Sequence, residues 1–334
     1  MASNLKVFVC EFITGGGLYN VPLPPSLARE GGMMLESLLA DLLELPGLEL
    51  ITTRDPRLPP LALPVTVKTM RHADDVWPLW RRCIDEADAI WPIAPESGGI
   101  LEKIGTMAQP KKLLGCAPSA IRIAGSKYAT ASYLARHGIP VVVTCRASAL
   151  PQDSRALIST LIAKPDDGAG CEDARLFAGT TDLLDWLADG RQGSHVVQPW
   201  LPGEAASLSM LCCDGKAQLL SCNRQLIEIA DDTVHYRGSL LNGMAEHWNA
   251  FEVLAGRVAH ALPGLAGYVG VDVMVNGSEI TVLEINPRLT TSYTGLRRAT
   301  GLNPAGLVLD LLYNGRWIES GRLQRNVVEV KIDG

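Results

Sequence analysis

The stretch Gly267-Tyr-Val-Gly-Val-Asp272-Val-Met-Val-Asn276-Gly-Ser-Glu-Ile-Thr-Val-Leu-Glu284-Ile-Asn286-Pro-Arg288 decides how this chain is read. Two runs rich in β-branched residues flank Asn276-Gly277, a strong local hairpin signal. Val271, Val273 and Val275 share one face of the first strand, and Leu283 and Ile285 share one face of the second. Both sets must meet one core, so the register is constrained. A three-residue loop at 276–278 places Val271 opposite Leu283 and Val269 opposite Ile285. The same register gathers Asp272, Glu284 and Asn286 on the opposite face. A plain two-residue loop would split the carboxylates between faces. Two carboxylates and an amide oxygen are hard ligands that suit Mg²⁺, or Mn²⁺, together with water and substrate phosphates. Arg288 follows two residues on, a fixed guanidinium able to stabilise charge on a transferring phosphoryl group. Ordinary polar residues on a solvated sheet face are the competing explanation for this motif alone.

On either side of this stretch, strands are expected at 194–199, 205–213 and 216–228, and helices at 248–261, 292–300 and 303–313. Val196-Val-Gln198-Pro199-Trp200-Leu201-Pro-Gly-Glu204 reads as a strand running out into a linker. Its extended backbone offers a carbonyl and an amide to an adenine edge, and Glu204 an acceptor to ribose. A linker with a packed tryptophan is the plainer reading. Further upstream, Ile162-Ala-Lys164 ends an apolar strand and opens Pro165-Asp166-Asp167-Gly168-Ala-Gly170-Cys171, where glycines let backbone N–H groups approach phosphate. Its lysine precedes the glycines, so it is not the nucleotide loop in which lysine follows them. Ile121 to His137 reads as helical, closing at Gly138-Ile-Pro140, with Lys127, in Ser126-Lys-Tyr, near the start of the helix. A strand at 141–145, a helix at 154–161, and a further strand and helix to about 190 complete this part.

The beginning of the chain differs. A Val- and Phe-rich strand at 5–12 ends at Glu11 and leads into Gly15-Gly16-Gly17. Met34, Leu35, Leu38, Leu39, Leu42 and Leu43 have helical spacing, stopped by Pro46-Gly47. Strands at 48–52, 65–69 and 88–94 alternate with helices at 76–87 and after Glu96-Ser97-Gly98-Gly99. That alternation predicts an α/β layer on a mostly parallel sheet. The organisation read from the chain is α/β at residues 1–115, a small α+β lobe at 116–195 and a larger, more antiparallel lobe at 196–334.

Composition narrows the function. The 334 residues are 47% hydrophobic and 20% charged, with net charge −6, which fits a globular protein. No Lys/Arg stripe supports nucleic-acid binding, and no apolar run reaches the roughly 20 residues of a membrane span. The eight cysteines form no Cys-x-x-Cys pair and no zinc pattern. A reduced, cytoplasmic protein without a signal peptide is the expectation.

Taken in order, the Lys127 segment, Lys164 with its glycine loop, the Gln198–Glu204 hinge, Asp272 and Glu284-Ile-Asn286-Pro-Arg288 resemble the ATP-grasp superfamily over about residues 117–315. The resemblance implies an ATP-grasp fold with a preceding α/β domain, and an ATP·Mg²⁺ site between two lobes. By that resemblance Lys127 and Lys164 hold phosphates, with Gly168 and Gly170 in the loop. Gln198, Pro199, Trp200 and Leu201 line adenine and Glu204 meets ribose. Asp272, Glu284 and Asn286 hold Mg²⁺, and Arg288 faces the transferred phosphoryl. Such enzymes phosphorylate a carboxylate and let an amine attack the acylphosphate. The loop at 166–171 would then close over the site and exclude water. Ser126 stands where Asp or Asn often precedes the lysine, Cys171 replaces a usual Gly or Ser, and Asp166 and Asp167 bring negative charge towards the phosphates.

Length and Glu11-Phe-x-Thr-Gly-Gly-Gly17 resemble the tyramine–glutamate ligase group of methanofuran-type cofactor biosynthesis. That likeness implies glutamate as acid and tyramine or tyrosine as amine. Arg224 and Arg237 are candidates for a substrate carboxylate and Glu11 and Glu96 for an amine; surface ion pairs, helix caps and loop acids explain them about as well. His195, His235 and His247 are candidate bases by residue type alone, with surface histidines the plainer reading. A different ATP-grasp reaction (thiol or acyl-CoA ligation, carboxylation, phosphotransfer) and a non-catalytic ATP-binding regulator are the alternatives. A homodimer is the default oligomer.

Overall fold

Leu5–Glu11 (β1) is apolar on both faces, as a strand covered from two sides must be. Val7 and Val9 pack with the leucines of the helix Pro25–Leu43 (α1). Phe8 and Cys10 pack with Trp80 and Ile84 of the helix Val76–Glu86 (α2, after strands β2, Leu48–Arg54, and β3, Thr66–Thr69). Ala89–Ile93 (β4), Ile100–Met107 (α3) and Lys112–Leu113 (β5) complete a five-stranded sheet in the order β3-β2-β1-β4-β5. All its pairings are parallel, as the alternating pattern predicts. The structure is a computed structural model, described here for residues 4–70, 75–150, 160–168 and 173–332.

The helical segment after this sheet is two helices, Pro118–Ala124 (α4) and Lys127–Arg136 (α5), where one was expected over 121–137. The apolar periodicity runs through both, which hides the break at Gly125. Ser126 caps α5 by accepting from the Ala129 amide at 3.0 Å, so Lys127 opens a new helix. The strand expected at 141–145 shrinks to Cys145–Arg146 (β6), preceded by a lone bridge from Val141 to Val282. Of the helix expected at 154–161, residues 154–159 lie outside the described residues, and Leu161 belongs to the strand Leu161–Pro165 (β7). Arg175–Phe177 (β8), Thr180–Ala188 (α6) and His195–Pro199 (β9) follow as read.

A larger antiparallel surface continues the same ten-stranded sheet. Glu204–Cys213 (β10), Lys216–Ala230 (β11) and Thr233–Leu241 (β12) form a meander; β12, with its Thr and Gly interruptions, was not legible. Trp248–Ala261 (α7) covers one face: Phe251, Leu254 and Val258 pack with Leu208, Met210, Val269, Val271 and Val273. Gly267–Asn276 (β13) and Glu279–Asn286 (β14) form the edge hairpin. Tyr293–Thr300 (α8), Pro304–Asn314 (α9) and Val328–Lys331 (β15) end the chain, with β15 on β12. Helix α1 is shared between the two sheets' cores, because its leucines also meet Leu296, Val308 and Leu311. A polar clasp adds to this contact: the Tyr293 hydroxyl donates to Asp41 Oδ2 at 2.9 Å, and Asn303 Nδ2 to the Asp41 carbonyl at 2.8 Å.

The hairpin clusters its polar trio by a different route from the expected one. The turn is the two residues Gly277-Ser278, with Asn276 opposite Glu279. A β-bulge between Asp272 and Val273 then shifts the register by one residue. Val271 therefore faces Ile285 rather than Leu283, Val282 takes the buried position and Leu283 is only half-buried. The bulge restores the parity that a two-residue loop alone would lose.

Candidate active site at the hairpin and glycine-loop junction

On β10, β11 and β13 the apolar face meets α7, and the opposite face carries Asp272, Ser207, Ser209 and Asn223. Asp272 lies directly across from Glu284, and Asn286 Nδ2 donates to Asp272 Oδ2 at 3.3 Å. Gln225 Nε2 donates to Asp272 Oδ1 at 3.0 Å, reaching across β10 where Ser207 is small. Sequence reading missed Gln225, since only the three-strand register brings it there. Burial and the facing Glu284 push the Asp272 carboxyl well above its usual range. Burial acts the same way on Glu284, but Lys127 and Lys164 outweigh it and hold that carboxyl down to about 2.

Lys127 is buried at the head of α5. Its Nζ lies 3.1 Å from Glu284 Oε2 and donates to the Gly168 carbonyl at 2.6 Å. Lys164, on β7, acts on both carboxylates. The two lysines, separated by 37 positions, therefore converge on the hairpin. Gly168 sits in this cluster; Gly170 and Cys171 lie outside the described residues.

Asp166 and Asp167 have hydrogen-bond partners of their own. The Asp166 carboxylate accepts from Ser126 Oγ at 2.7 Å and from the Tyr128 amide at 2.8 Å, at the positive end of the α5 dipole. Asp167 Oδ2 accepts from the Gly98 amide at 2.9 Å, and Ser97 Oγ donates to the Asp167 carbonyl at 2.9 Å. The acids that looked out of place beside phosphates thus anchor the start of the loop to two different elements.

Arg288 is tied to the first domain. Its Nε lies 3.0 and 3.1 Å from the two Glu96 carboxylate oxygens, and its Nη1 donates to the Leu289 carbonyl at 3.0 Å. Glu96, Lys127, Asp167, Gly168, Glu284 and Asn286 line one small cavity. Glu96 is thus a partner of Arg288 instead of a free acid for an amine. Glu11 is also committed: its buried carboxylate accepts from the Ile13 amide at 3.0 Å and from the Thr14 amide and hydroxyl. A Cβ at Gly31 would come 2.7 Å from it. Arg224, half-buried, lies 2.9 Å from Glu204, and Arg237, exposed, lies 2.6 Å from Glu228.

At the hinge, Gln198 is buried and its Nε2 donates to Thr144 Oγ1 at 2.9 Å, a partner that reading the strand alone did not suggest. Pro199 pairs with Leu161, the Trp200 amide donates to the Thr160 carbonyl at 2.8 Å, and the indole packs against Ile162 and Val234. Leu201 begins the turn into β10. His195 departs from the surface reading: it is buried, with Nε2 3.0 Å from Asp173 Oδ2 and Nδ1 2.9 Å from Ser194 Oγ. It anchors the far end of the glycine-loop segment. His235 and His247 are half-buried.

The donor set fits a hard divalent cation. Two carboxylates face each other with their repulsion only partly offset by Lys127 and Lys164, an amide stands beside them, and the same cations stand ready for phosphates. Among the described residues no three His, Cys, Asp or Glu side chains form a closed metal cage, and Mg²⁺ with its waters and phosphates requires none. Also among them, no helix is long and apolar enough to cross a membrane.

Comparison with known proteins identifies the family and the fold. Residues 124–292 match the family described as ATP-grasp domain, and residues 48–121 match the pre ATP-grasp 3 domain. A tyramine–L-glutamate ligase of Methanocaldococcus fervens is 32% identical over 222 residues, 65% of this chain and 64% of that protein. The ligase of the same name from Methanocaldococcus jannaschii is 32% identical over 207 residues, 61% of this chain and 57% of the relative. The matched region therefore spans less than two thirds of either relative. In fold, the chain is similar to an ATP-grasp superfamily protein from Archaeoglobus fulgidus, with TM-score 0.69 and 22% identity over 98% of this chain and 100% of the other.

Proposed function

This chain belongs to the ATP-grasp family, and from that premise we propose that it is an ATP- and Mg²⁺-dependent ligase joining a carboxylic acid to an amine. Glutamate and tyramine are the pair suggested by the relatives' names, with tyrosine as a second candidate amine. The observation that carries the reading is the convergence of Lys127, Lys164, the Asp272/Glu284/Asn286 trio and Arg288 from four separate elements. ATP lies between the lobes at 116–195 and 196–334, with adenine at the Gln198–Leu201 hinge and phosphates towards Lys127.

The chemistry follows from charge. A carboxylate is a poor electrophile; one of its oxygens attacks the γ-phosphorus and ADP leaves. The amine nitrogen then attacks the acyl carbon, inorganic phosphate leaves, and the nitrogen gives up its extra proton. A divalent cation supplies charge neutralisation between the two anions as they meet. The residues' part is to hold them. Lys127 and Lys164 balance the phosphates, Asp272, Glu284 and Asn286 fix the cation, and Arg288 meets charge developing on the phosphoryl oxygens. Water must stay out, since it competes with the amine for the acylphosphate.

The test is ADP and phosphate release with ATP, Mg²⁺ and pooled amino acids, with and without pooled amines, and products read by mass. ADP release that requires both glutamate and an aromatic amine, with a product lighter than their sum by one water, supports the narrow reading. Release with another pair keeps the ligase and discards that pair. Release without an amide product points to a different ATP-grasp reaction, and ATP binding without release from any pool points to a regulator.

A further inference from the structure

Glu96, Ser97 and Gly98 are consecutive residues of the first domain, yet they hold two different parts of the candidate active site. Glu96 ion-pairs with Arg288 at 3.0 Å, both side chains nearly inaccessible at 7% and 12% exposure. Ser97 and Gly98 bind Asp167 through two hydrogen bonds of 2.9 Å. We propose that this turn is a positioning element that couples docking of the Asp166–Gly168 segment to the aim of the Arg288 guanidinium.

Three features support the coupling. First, Nε and Nη1 of Arg288 are both engaged, by Glu96 and by the Leu289 carbonyl, so the guanidinium plane has one orientation. A planar fork held at two corners presents its remaining nitrogen in a set direction. Secondly, Glu96 has little room to rotate. A Cβ at Gly125 would lie 3.1 Å from the Glu96 Cβ, so the glycine between α4 and α5 lets that junction press against it. Thirdly, the segment that Ser97 and Gly98 hold also bears on Lys127: Asp166 caps α5 and the Gly168 carbonyl accepts from Lys127 Nζ. A shift of Asp167 therefore moves the turn carrying Glu96, and with it the arginine. The consequence for chemistry is that the phosphoryl-facing guanidinium is aligned when the loop is docked and water is excluded.

The inference rests on the proposed ligase reading for its kinetic consequences, but its structural core can be tested without turnover. In the full-length ¹⁵N-labelled protein, the Arg288 Nε–H resonance is identified by its loss in Arg288→Lys. Ser97→Ala removes a hydroxyl that does not touch Arg288. The expected result is a clear shift or broadening of that resonance, and an unmoved resonance overturns the coupling. The kinetic counterpart uses Glu96→Gln, which keeps an acceptor for Nε and removes the charge. Its kcat is expected to fall about 10- to 100-fold with the KM for ATP changed less than about threefold, as for misaimed transition-state contacts. Ser97→Ala is expected to lower kcat by itself, and the double variant to be little worse than Glu96→Gln. Effects that multiply, or a rise in ATP KM with kcat intact, overturn the proposal. A wild-type protein that releases no ADP with any acid and amine counts against the ligase reading instead, and the resonance experiment still decides the coupling.

Discussion

Replacing Asp272 by Asn should stabilise the metal-free protein while removing its metal response. Asp272 and Glu284 are directly opposed on β13 and β14, and opposed side chains on neighbouring strands stand about 5 Å apart. Two unit charges at that distance repel by about 3 kcal/mol at an effective dielectric constant of about 20. Lys127, 3.1 Å from Glu284, offsets part of this, as do Lys164 and partial protonation of Asp272. Keeping about a third leaves roughly 1 kcal/mol, or about 1–2 °C for a chain of this length. An asparagine there still accepts from Gln225 and can donate to Glu284; it loses only the Asn286 contact, already long at 3.3 Å. The size of the effect changes with pH in a defined way. Because the folded Asp272 carboxyl titrates above its unfolded value of about 3.9, its contribution to stability is full below that value and is lost as pH rises through the folded one. The advantage of the variant is therefore small near pH 4 and largest near neutrality. The assay is thermal melting at pH 5 and 7.5, in EDTA and then in Mg²⁺ with ATP. The variant should melt higher than wild type in EDTA at pH 7.5 and gain little from Mg²⁺, with turnover reduced at least about 100-fold. A variant that melts lower in EDTA yet retains the full Mg²⁺-dependent rise would refute both the repulsion and the metal assignment.

Lys127→Met should raise the KM for ATP about 10- to 100-fold, the worth of a charged hydrogen bond, measured by initial rates. Asp166→Ala removes the acceptor for Ser126 Oγ and the Tyr128 amide; it should cost about 1–2 kcal/mol in urea unfolding and weaken ATP binding, because Lys127 heads the helix it caps. Tyr293→Phe breaks the bond to Asp41 that joins α8 to α1; a loss of about 1 kcal/mol of stability with kinetic constants within twofold is expected. Arg237→Ala removes an exposed pair with Glu228 and should leave stability within about 0.5 kcal/mol; a rise in substrate KM would return Arg237 to the site.

What could be read from the sequence was whatever local periodicity encodes. The parallel sheet, the leucine face of α1 and the boundaries of α7 depend on patterns within a dozen residues, and these were legible. Strand β12 was not, because Thr233–Leu241 mixes Gly, Ser and Arg with few apolar residues and owes its place to β11 and β15 on either side. The break between α4 and α5 was hidden for the converse reason: an apolar stripe continues across Gly125 while the backbone does not. The site shows the same division. Residue types and their order pointed to Lys127, Lys164, Asp272, Glu284, Asn286 and Arg288. Their partners did not follow, since Gln225 on Asp272 and Glu96 on Arg288 are contacts between segments 47 and 192 positions apart.

The hairpin illustrates why a correct inference can rest on an incorrect register. The core requires that buried residues on β13 face buried residues on β14, and that requirement fixes parity, not pairing. A three-residue loop and a two-residue loop with one bulge satisfy it equally, so Asp272 and Glu284 share a face in both. They differ in which residues lie directly opposite. The bulge places Glu284 squarely against Asp272, whereas the wider loop would have set Asp272 against Val282. Burial raises Asp272, direct opposition to Glu284 raises it further, and that opposition makes the pair dependent on neighbouring cations. If the bulge does no more than absorb the half-buried extra residue Leu283, then deleting Leu283 should leave a plain two-residue hairpin in which Val273 still faces Val282 and Asp272 still faces Glu284. The Mg²⁺-dependent stabilisation should then persist, and the change should appear mainly as altered stability in EDTA. A deletion that abolishes the Mg²⁺ response while the chain stays folded would show that the bulge itself, and not the pairing alone, sets the charge spacing.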